Sequence, residues 1–390
     1  MAGGTTNVGG GLTRVDYTLS TGTLGRTSPN PTALSVARFG LLAAKVGNYA
    51  LFGGGSGLSA VVDAYDTSLV RTTPTALSVA RYSLAATSVG NYALFGGGNT
   101  GSASAVVDAY DTSLVRTTPT ALSVARFDLA ATTVGNYALF GGGDAGGGNI
   151  SAVVDAYDTS LVRTTPTALS VSRNRLAATN VGNYALFGGG NSGNVSAVVD
   201  AYDTSLVRTT PTALSVVREF LAATSVGSYA LFGGGASTSG VSSATVDAYN
   251  TSLVRTIPTA LSVARYALTA ASIGNYALFG GGFDGANRST VDAYDTSLVR
   301  TIPTELSLPI RALGATSIGN YALFGGGIGS VTSAVVNAYT LLSPPITIPA
   351  GSKYQFSPAT TETTVGSQTT LNFVTPTTGY IKYKKGSVTI

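Results

Sequence analysis

The heptapeptide Tyr-Ala-Leu-Phe-Gly-Gly-Gly at residues 49–55 decides the fold, because it returns six more times along the 390-residue chain. Each copy lies among the same short segments rich in Val, Thr, Tyr and Leu, bounded by Gly, Asn, Asp or Pro, which is how strands are punctuated. Four short strands in about 45 residues, repeated seven times, predict an all-β, seven-bladed β-propeller of four-stranded blades. The copies begin at Tyr49, Tyr92, Tyr137, Tyr184, Tyr229, Tyr276 and Tyr321.

The repeat predicts three regions. Residues 13–340 are expected to form the propeller, residues 1–12 a Gly-rich N-terminal arm, and residues 341–390 a small Thr-rich β appendage that is a candidate assembly anchor. Val15–Tyr17 looks like a degraded third strand, and residues 26–29 look like the end of a fourth. We therefore expect the N-terminal segment to supply the outer strand of the seventh blade and so remove an open edge. The second third-strand candidate, Val335–Tyr339, leaves the closing register open.

Residues 81–111 resemble the kelch repeat. They contain an Arg, then Leu-Ala-Ala-Thr-Ser-Val, then Asn-Tyr-Ala-Leu-Phe-Gly-Gly, then Val-Val-Asp-Ala-Tyr-Asp. The resemblance covers roughly residues 13–340 and departs in the fourth strand, where 114–116 (Leu-Val-Arg) replace the family's Trp. It implies a propeller, here suspected to be a phage or prophage virion version. It also implies that the residue after each repeated Arg lines a ligand pocket.

The composition excludes several kinds of chemistry. The chain has no Cys, His or Trp, only 10% charged residues and a net charge of +4. It therefore lacks the ligands of the usual zinc and haem sites, Cys- or His-assisted nucleophiles and disulfides, and no cofactor is predicted. The charge is too small to indicate nucleic acid, and the Gly runs lack the Lys and helix of a phosphate loop. No signal peptide or transmembrane helix is recognisable, so no membrane insertion is expected.

The copies differ from one another in two places. The first is the stretch between Gly-Gly-Gly and the third strand, which we call the variable hairpin; its length changes only in steps of two, which preserves the inward strand face. The second is the pair of residues before each first strand, which we call the pre-strand pair. Because the four strands run up-down-up-down, both places are expected to share one face, and the two constant turns the other. The pre-strand pairs are 39–40, 82–83, 127–128, 174–175, 219–220, 266–267 and 311–312.

Aromatic residues concentrate at these variable places. Outside the repeated core positions, Tyr17 and the C-terminal tail, all six remaining aromatics lie in pre-strand pairs or variable hairpins. Such side chains suit stacking on sugars or peptides, while an alternative is drift of solvent-facing loops. The candidate ligand-binding residues are Phe39, Tyr82, Phe127, Asn174, Arg175, Glu219, Phe220, Tyr266, Phe283 and Arg311.

Repeated and isolated charges allow further interpretations. A ring of Arg near the channel would bind an anion or, as we favour, pair with the repeated Asp residues. Its members are Arg38, Arg81, Arg126, Arg173, Arg218 and Arg265. Among the carboxylates outside the repeat, Asp128, Asp144, Asp284 and Glu219 make only a weak case for a glycosidase, because they belong to different blades.

These features predict a non-catalytic recognition or structural module. A nearly charge-free polar surface, the lack of an export signal and a β appendage suggest a virion or phage-tail-like surface protein, such as a fibre. Its expected partners are a cell-surface glycan or protein receptor, and other virion or assembly subunits through the appendage. The alternatives are a cytoplasmic kelch-type protein-binding adaptor and a secreted lectin or glycosidase.

Overall fold

The computed structural model describes the backbone of residues 5–8, 12–18, 23–237, 239–342, 346–348, 353–356, 363–364, 369–371 and 378–384, and the side chains within 23–237 and 239–341. The chain divides into two compact units, one of Arg26–Ala338 and one of Met1–Gly25 with Tyr339–Ile390. All the regular elements of the described residues are strands. In that part of the chain no helix has the length and apolar character needed to span a bilayer.

The strands follow one another in a regular order. Three precede the repeats: β1 Thr5–Val8, β2 Leu12–Thr18 and β3 Thr23–Arg26. The first three blades contain β4 Leu42–Val46, β5 Tyr49–Gly53, β6 Val62–Asp66 and β7 Arg71–Thr72; β8 Ala85–Val89, β9 Tyr92–Gly96, β10 Val107–Asp111 and β11 Arg116–Thr117; and β12 Ala130–Val134, β13 Tyr137–Gly141, β14 Val154–Asp158 and β15 Arg163–Thr164.

The remaining blades repeat this pattern. The fourth to sixth contain β16 Ala177–Val181, β17 Tyr184–Gly188, β18 Val199–Asp203 and β19 Arg208–Thr209; β20 Ala222–Val226, β21 Tyr229–Gly233, β22 Val246–Asn250 and β23 Arg255–Thr256; and β24 Thr269–Ile273, β25 Tyr276–Gly280, β26 Val291–Asp295 and β27 Arg300–Thr301. Then come β28 Gly314–Ile318, β29 Tyr321–Gly325, β30 Val336–Leu342, β31 Ile346–Ile348, β32 Lys353–Phe356, β33 Thr363–Thr364, β34 Thr369–Leu371 and β35 Thr378–Lys384.

The seven sheets form a closed ring. Each of the first six blades pairs its four strands in sequence order, and the seventh has the order β28-β29-β30-β3. The first strands of neighbouring blades pack together all the way round, from β4 through β28 and back to β4, and so surround a central channel. The predicted all-β, seven-bladed propeller is confirmed.

The closing strand of the seventh blade is Thr23–Arg26. Val15–Tyr17, which resembles a third strand in sequence, lies instead in β2, which pairs with β1 and β35 in a five-stranded sheet of order β1-β2-β35-β32-β33. Strands β31 and β34 form a separate two-stranded ladder. The assignment of 13–340 to the propeller and of 341–390 to an assembly anchor stays a prediction.

The fourth strands are shorter than the sequence indicates. In the second blade the pattern predicts a strand over 114–118, but only Arg116–Thr117 pair with the sheet. The carboxylate of Asp111 accepts hydrogen bonds from the amides of Ser113 and Val115, and Leu114 has a φ of 63°. The residues that would otherwise extend the strand lie in this Asx-type turn and do not pair with the sheet.

Glycine at the end of each second strand allows the blades to approach one another. A Cβ atom on Gly96 would lie 2.7 Å from the Phe140 ring of the next blade, closer than real Cβ contacts. The same contact recurs at every interface and closes the ring where Gly325 meets Phe52. In the first six blades the Phe ring in turn packs edge-on against a Tyr of its own blade, as Phe140 does against Tyr157 at 5.9 Å.

Replacing Gly96 by Ala is expected to destabilise the propeller by about 1–3 kcal/mol, because the added methyl group must displace a buried ring. Urea denaturation would measure the loss. Gly314→Ala is the matched control: this glycine begins a first strand, its nearest contact for a Cβ is 3.3 Å, and the equivalent position is Ala in four of the other six blades. Equal stability of the two variants would contradict the packing argument.

The repeated Arg and Asp side chains meet inside each of the first six blades. In the second blade, Asp108 is fully buried and lies 2.7 Å from buried Arg81 and 3.0 Å from partly exposed Arg116. Burial lowers the pKa of the Arg81 guanidinium, and the Asp108 carboxylate opposes that shift. The interpretation of the Arg ring as paired with Asp is confirmed. The six inner pairs are Arg38–Asp63, Arg81–Asp108, Arg126–Asp155, Arg173–Asp200, Arg218–Asp247 and Arg265–Asp292.

The seventh blade replaces both members of this pair. Ile310 takes the place of the Arg and Asn337 takes the place of the Asp. Asn337 keeps one contact of the Asp, because its Oδ1 accepts a hydrogen bond of 2.9 Å from the Ser307 amide. The seventh blade is therefore a natural example of a blade that lacks both the buried Arg and the buried Asp.

Candidate functional site

The two variable places lie side by side on one face. In the second blade Tyr82 and Asn99 form a two-way backbone bridge, with N–O distances of 3.1 and 2.7 Å, so the pre-strand pair is joined to the variable hairpin. The third to seventh blades repeat this bridge. The constant turns meet elsewhere: a Cβ on Gly47, in a first-to-second turn, would contact Thr112, in a third-to-fourth turn of the next blade. Variable and constant connections are thus segregated, as expected.

The second residue of every pre-strand pair takes part in a closed ring of backbone hydrogen bonds. Its amide donates to the carbonyl of the equivalent residue one blade earlier, over distances of 2.8–3.3 Å, and Gly40 closes the ring by donating to Ala312. All seven residues have φ between 52° and 62°, a conformation that side chains seldom adopt. The ring imposes this conformation and directs the seven side chains to one mouth of the channel.

That mouth is asymmetric. The seven residues border a cavity of about 410 Å³, a size typical of small-ligand sites. At this position three neighbouring blades have the large side chains Asp128, Arg175 and Phe220, whereas the other four have Gly, Ser or Ala. A ligand entering the mouth therefore meets charge and an aromatic ring on one side and small residues on the other.

Arg175 links two carboxylates at this mouth. Its guanidinium lies 3.6 Å from Asp128 and 3.3 Å from Glu219, which also accepts a hydrogen bond from Asn191. Burial raises the pKa of Asp128, while hydrogen bonds from Ser83 and Arg175 and the positive charge of Arg175 work in the opposite direction. The Arg175 side chain remains 39% exposed, so it is accessible from the mouth.

Aromatic and guanidinium groups continue from this mouth across blades four to seven. Arg175 lies over the Phe220 ring at 4.8 Å, and the Phe220 and Tyr266 rings are 6.4 Å apart. Tyr266 meets Phe283 edge-on at 5.7 Å, and Arg311 lies over Phe283 at 4.4 Å. We call these five side chains the aromatic track; it connects the channel mouth to the hairpins of the sixth and seventh blades.

Two grooves flank the outer end of the track. One, of about 570 Å³, lies between the fifth and sixth hairpins, and the other, of about 690 Å³, lies between the sixth and seventh. Phe283 lines both grooves. Val241 in the first and Val331 in the second are 64% and 73% exposed. These two valines were not predicted, because an isolated Val in a hairpin carries no sequence signal for binding.

The structure brings together six of the ten predicted residues: the five of the aromatic track and Glu219. Phe39, Tyr82 and Phe127 occupy equivalent positions in the first three blades, but none of them lines the mouth or either groove. Asn174 is buried at 6% exposure, and within the described part of the chain its Oδ1 has no hydrogen-bond partner. Residues at the same position of the repeat therefore have different neighbours in different blades.

The other carboxylates outside the repeat have separate roles. Asp144 accepts a hydrogen bond from the Gly146 amide in its own hairpin, and Asp284 pairs with Arg288 at 2.7 Å. Only Asp128 and Glu219 share a site, and Arg175 lies between them. Within the residues that the structure describes, no cluster of three or more potential metal ligands of the Asp or Glu type occurs.

Comparison with known proteins supports the fold alone. No family model matches the chain, and no curated protein matches it in sequence. The solved structure of YjhT matches with 12% identity and a TM-score of 0.55, covering 78% of this chain and 99% of that one. At this identity the likeness shows a shared propeller architecture and carries no statement about activity.

Proposed function

We propose that the propeller is a non-catalytic recognition module that binds a cell-surface glycan along the aromatic track of blades four to seven. The observation that carries this proposal is the unbroken series of ring and guanidinium contacts from Arg175 to Arg311. It occurs only where the copies differ, on a face that is otherwise built from repeated backbone geometry. Loops on a rigid scaffold are the usual place for binding residues.

The chemistry of the track favours a saccharide. Aromatic faces stack on the apolar face of a sugar ring, while nearby charged and amide groups hydrogen-bond to its hydroxyls. Phe220 is 37% exposed, and Arg311 keeps Asn287 beside it through a hydrogen bond of 3.2 Å. Three successive rings thus lie between two guanidinium groups, which suits a ligand with both apolar and polar surfaces.

The contacts of the two carboxylates at the mouth, Asp128 and Glu219, favour recognition without catalysis. A glycosidase needs one carboxyl group that donates a proton and a second that acts as base or nucleophile on the same bond. Asp128 and Glu219 both contact Arg175, at 3.6 and 3.3 Å, so both carboxylates are engaged by the same guanidinium. Their arrangement serves to hold Arg175 in place for binding.

The wider setting we propose is the surface of a virion or phage-tail-like particle, with a kelch-type propeller as the receptor-binding part. The low charge and the Ser-, Thr- and Gly-rich hairpins support an exposed particle protein, and the second compact unit supplies a separate body for attachment to other subunits. Binding of the purified protein to a glycan array and to whole cells tests this proposal.

Tyr266→Ala is expected to weaken glycan binding about tenfold, because it removes the ring that joins Phe220 to Phe283; such stacking contributes roughly 0.5–1.5 kcal/mol beyond buried area. Tyr82→Ala is the matched control. It removes the same side chain from the same position of the repeat in a blade that contributes nothing to the track. Titration of both variants with the best array ligand gives the comparison.

Three results would count against the proposal. Equal losses for the two Tyr variants would show that the track is not the binding site. Selective binding of a protein receptor, with no saccharide bound, would replace the glycan by a protein partner. Cleavage of the bound glycan would contradict recognition without catalysis.

A further inference from the structure

The channel has a second mouth, on the face of the constant turns. This mouth forms a cavity of about 420 Å³ lined by the first strands of all seven blades. Five alanines, from blades one, two, five, six and seven, border both this cavity and the one at the variable face, so they form the waist of the channel. Beyond the waist the lining changes from alanine to polar side chains.

The polar lining has one sign of charge. The side chains below the waist are Thr, Ser and Ala, with Asn180 and Lys45, and no carboxylate lines the cavity. Lys45 is exposed, it is the only lysine in the described part of the propeller, and within that part no acidic group lies within 4 Å of its ammonium. The six equivalent positions carry four Ser, one Thr and one Asn.

We propose that this mouth binds a small tetrahedral oxyanion, phosphate or sulfate, through Lys45 and the surrounding hydroxyl groups. An ammonium group offers three donors, and serine and threonine hydroxyls turn to donate to an acceptor. Hydrogen bonds from a charged donor to an anion are roughly twice as strong as those between neutral groups. The Ser88 hydroxyl donates to the Lys45 carbonyl, at 2.5 Å, which leaves the other hydroxyl groups of the ring and the Lys45 ammonium as donors for a ligand. A cation without an acidic partner, surrounded by neutral donors, is therefore complementary to one compact anion on the channel axis.

The same face disfavours extended polyanions. The Asp residues of the third-to-fourth turns lie on it, and the contact between Gly47 and Thr112 places the Asp111 turn next to the turn that follows Lys45. The Oδ1 atom of Asp111 accepts hydrogen bonds from the turn amides of Ser113 and Val115. Carboxylates repel anions, but these do not line the cavity, so a polyanion that crosses the face is repelled more strongly than one compact anion held at Lys45.

The experiment is a titration of the isotopically labelled full-length protein with inorganic phosphate, sulfate and methyl phosphate at low ionic strength, followed through the amide signals of Ser88 and Ser317. We expect saturable shifts that weaken with added sodium chloride, because salt screens an exposed charge. Inorganic phosphate and sulfate test binding of a free anion, and methyl phosphate tests binding of a phosphate group carried by a larger molecule. Saturable binding of either kind supports the site.

Substitutions test whether the shifts arise from anion binding at Lys45. Lys45→Met is expected to weaken binding at least tenfold, while Lys45→Arg retains it. Arg288→Met, which removes a cation of the sixth hairpin on the opposite face and outside the aromatic track, should leave it unchanged. Unsaturable shifts, full binding by Lys45→Met or loss in Arg288→Met would overturn the proposal. These readouts do not depend on whether the aromatic track binds a glycan.

Discussion

Replacing Asp108 by Asn is expected to destabilise the propeller by about 3–5 kcal/mol, because it leaves the buried guanidinium of Arg81 without a counter-charge. Both side chains are fully buried and 2.7 Å apart, so water cannot solvate the remaining charge. The hydrogen bond to the Ser78 amide should survive, since Asn337 makes the equivalent bond in the seventh blade. Chemical denaturation would give the free energy of unfolding.

Two further variants test whether the loss of stability comes from the unpaired buried charge of Arg81. Arg81→Ile combined with Asp108→Asn reproduces the Ile310–Asn337 pair and is expected to recover at least half of the loss, because no buried charge remains. Asp111→Asn is the control and should change stability by less than about 0.5 kcal/mol. Its counterpart Asn250 holds the same two turn amides at 2.9 and 3.0 Å. A double variant less stable than Asp108→Asn would refute this account.

Deleting residues 1–28 is expected to destabilise the propeller by about 4–6 kcal/mol. The deletion removes Thr23–Arg26 from the seventh blade, together with buried Leu24 and a ladder of main-chain hydrogen bonds, each worth about 1 kcal/mol. It also exposes the edge of β30, which favours aggregation. Thermal unfolding and light scattering would detect the two effects.

Deleting only residues 1–22 provides the comparison. This shorter deletion removes β1 and β2 but keeps the closing strand β3. The propeller transition should then occur at the same temperature as in the intact chain. If both deletions lower the transition temperature equally, closure of the ring does not depend on Thr23–Arg26. The loss of stability would then come from removing residues 1–22.

Much of the candidate site was predictable from how the copies differ. Their comparison located the pre-strand pairs and variable hairpins and placed them on one face, because up-down strand order leaves no other arrangement. It could not rank Tyr82 against Tyr266, which occupy the same position of the repeat. Only the neighbours differ: Tyr266 has Phe220 and Phe283 beside it, contributed by the preceding blade and by its own hairpin.

The amino-acid sequence alone determined the all-β class, the number of blades and the need for glycine after each second strand, because these follow from local periodicity repeated seven times. The tertiary structure decided which residues meet across blades. The choice of β3 over Val15–Tyr17 as the closing strand, the hydrogen-bonded ring that forces φ above 50° at positions such as Arg175, and the isolation of Lys45 in its channel all depend on ring closure. Closure joins residues hundreds of positions apart, as when the Thr27 amide donates to the Ala338 carbonyl, and no local pattern encodes such a contact.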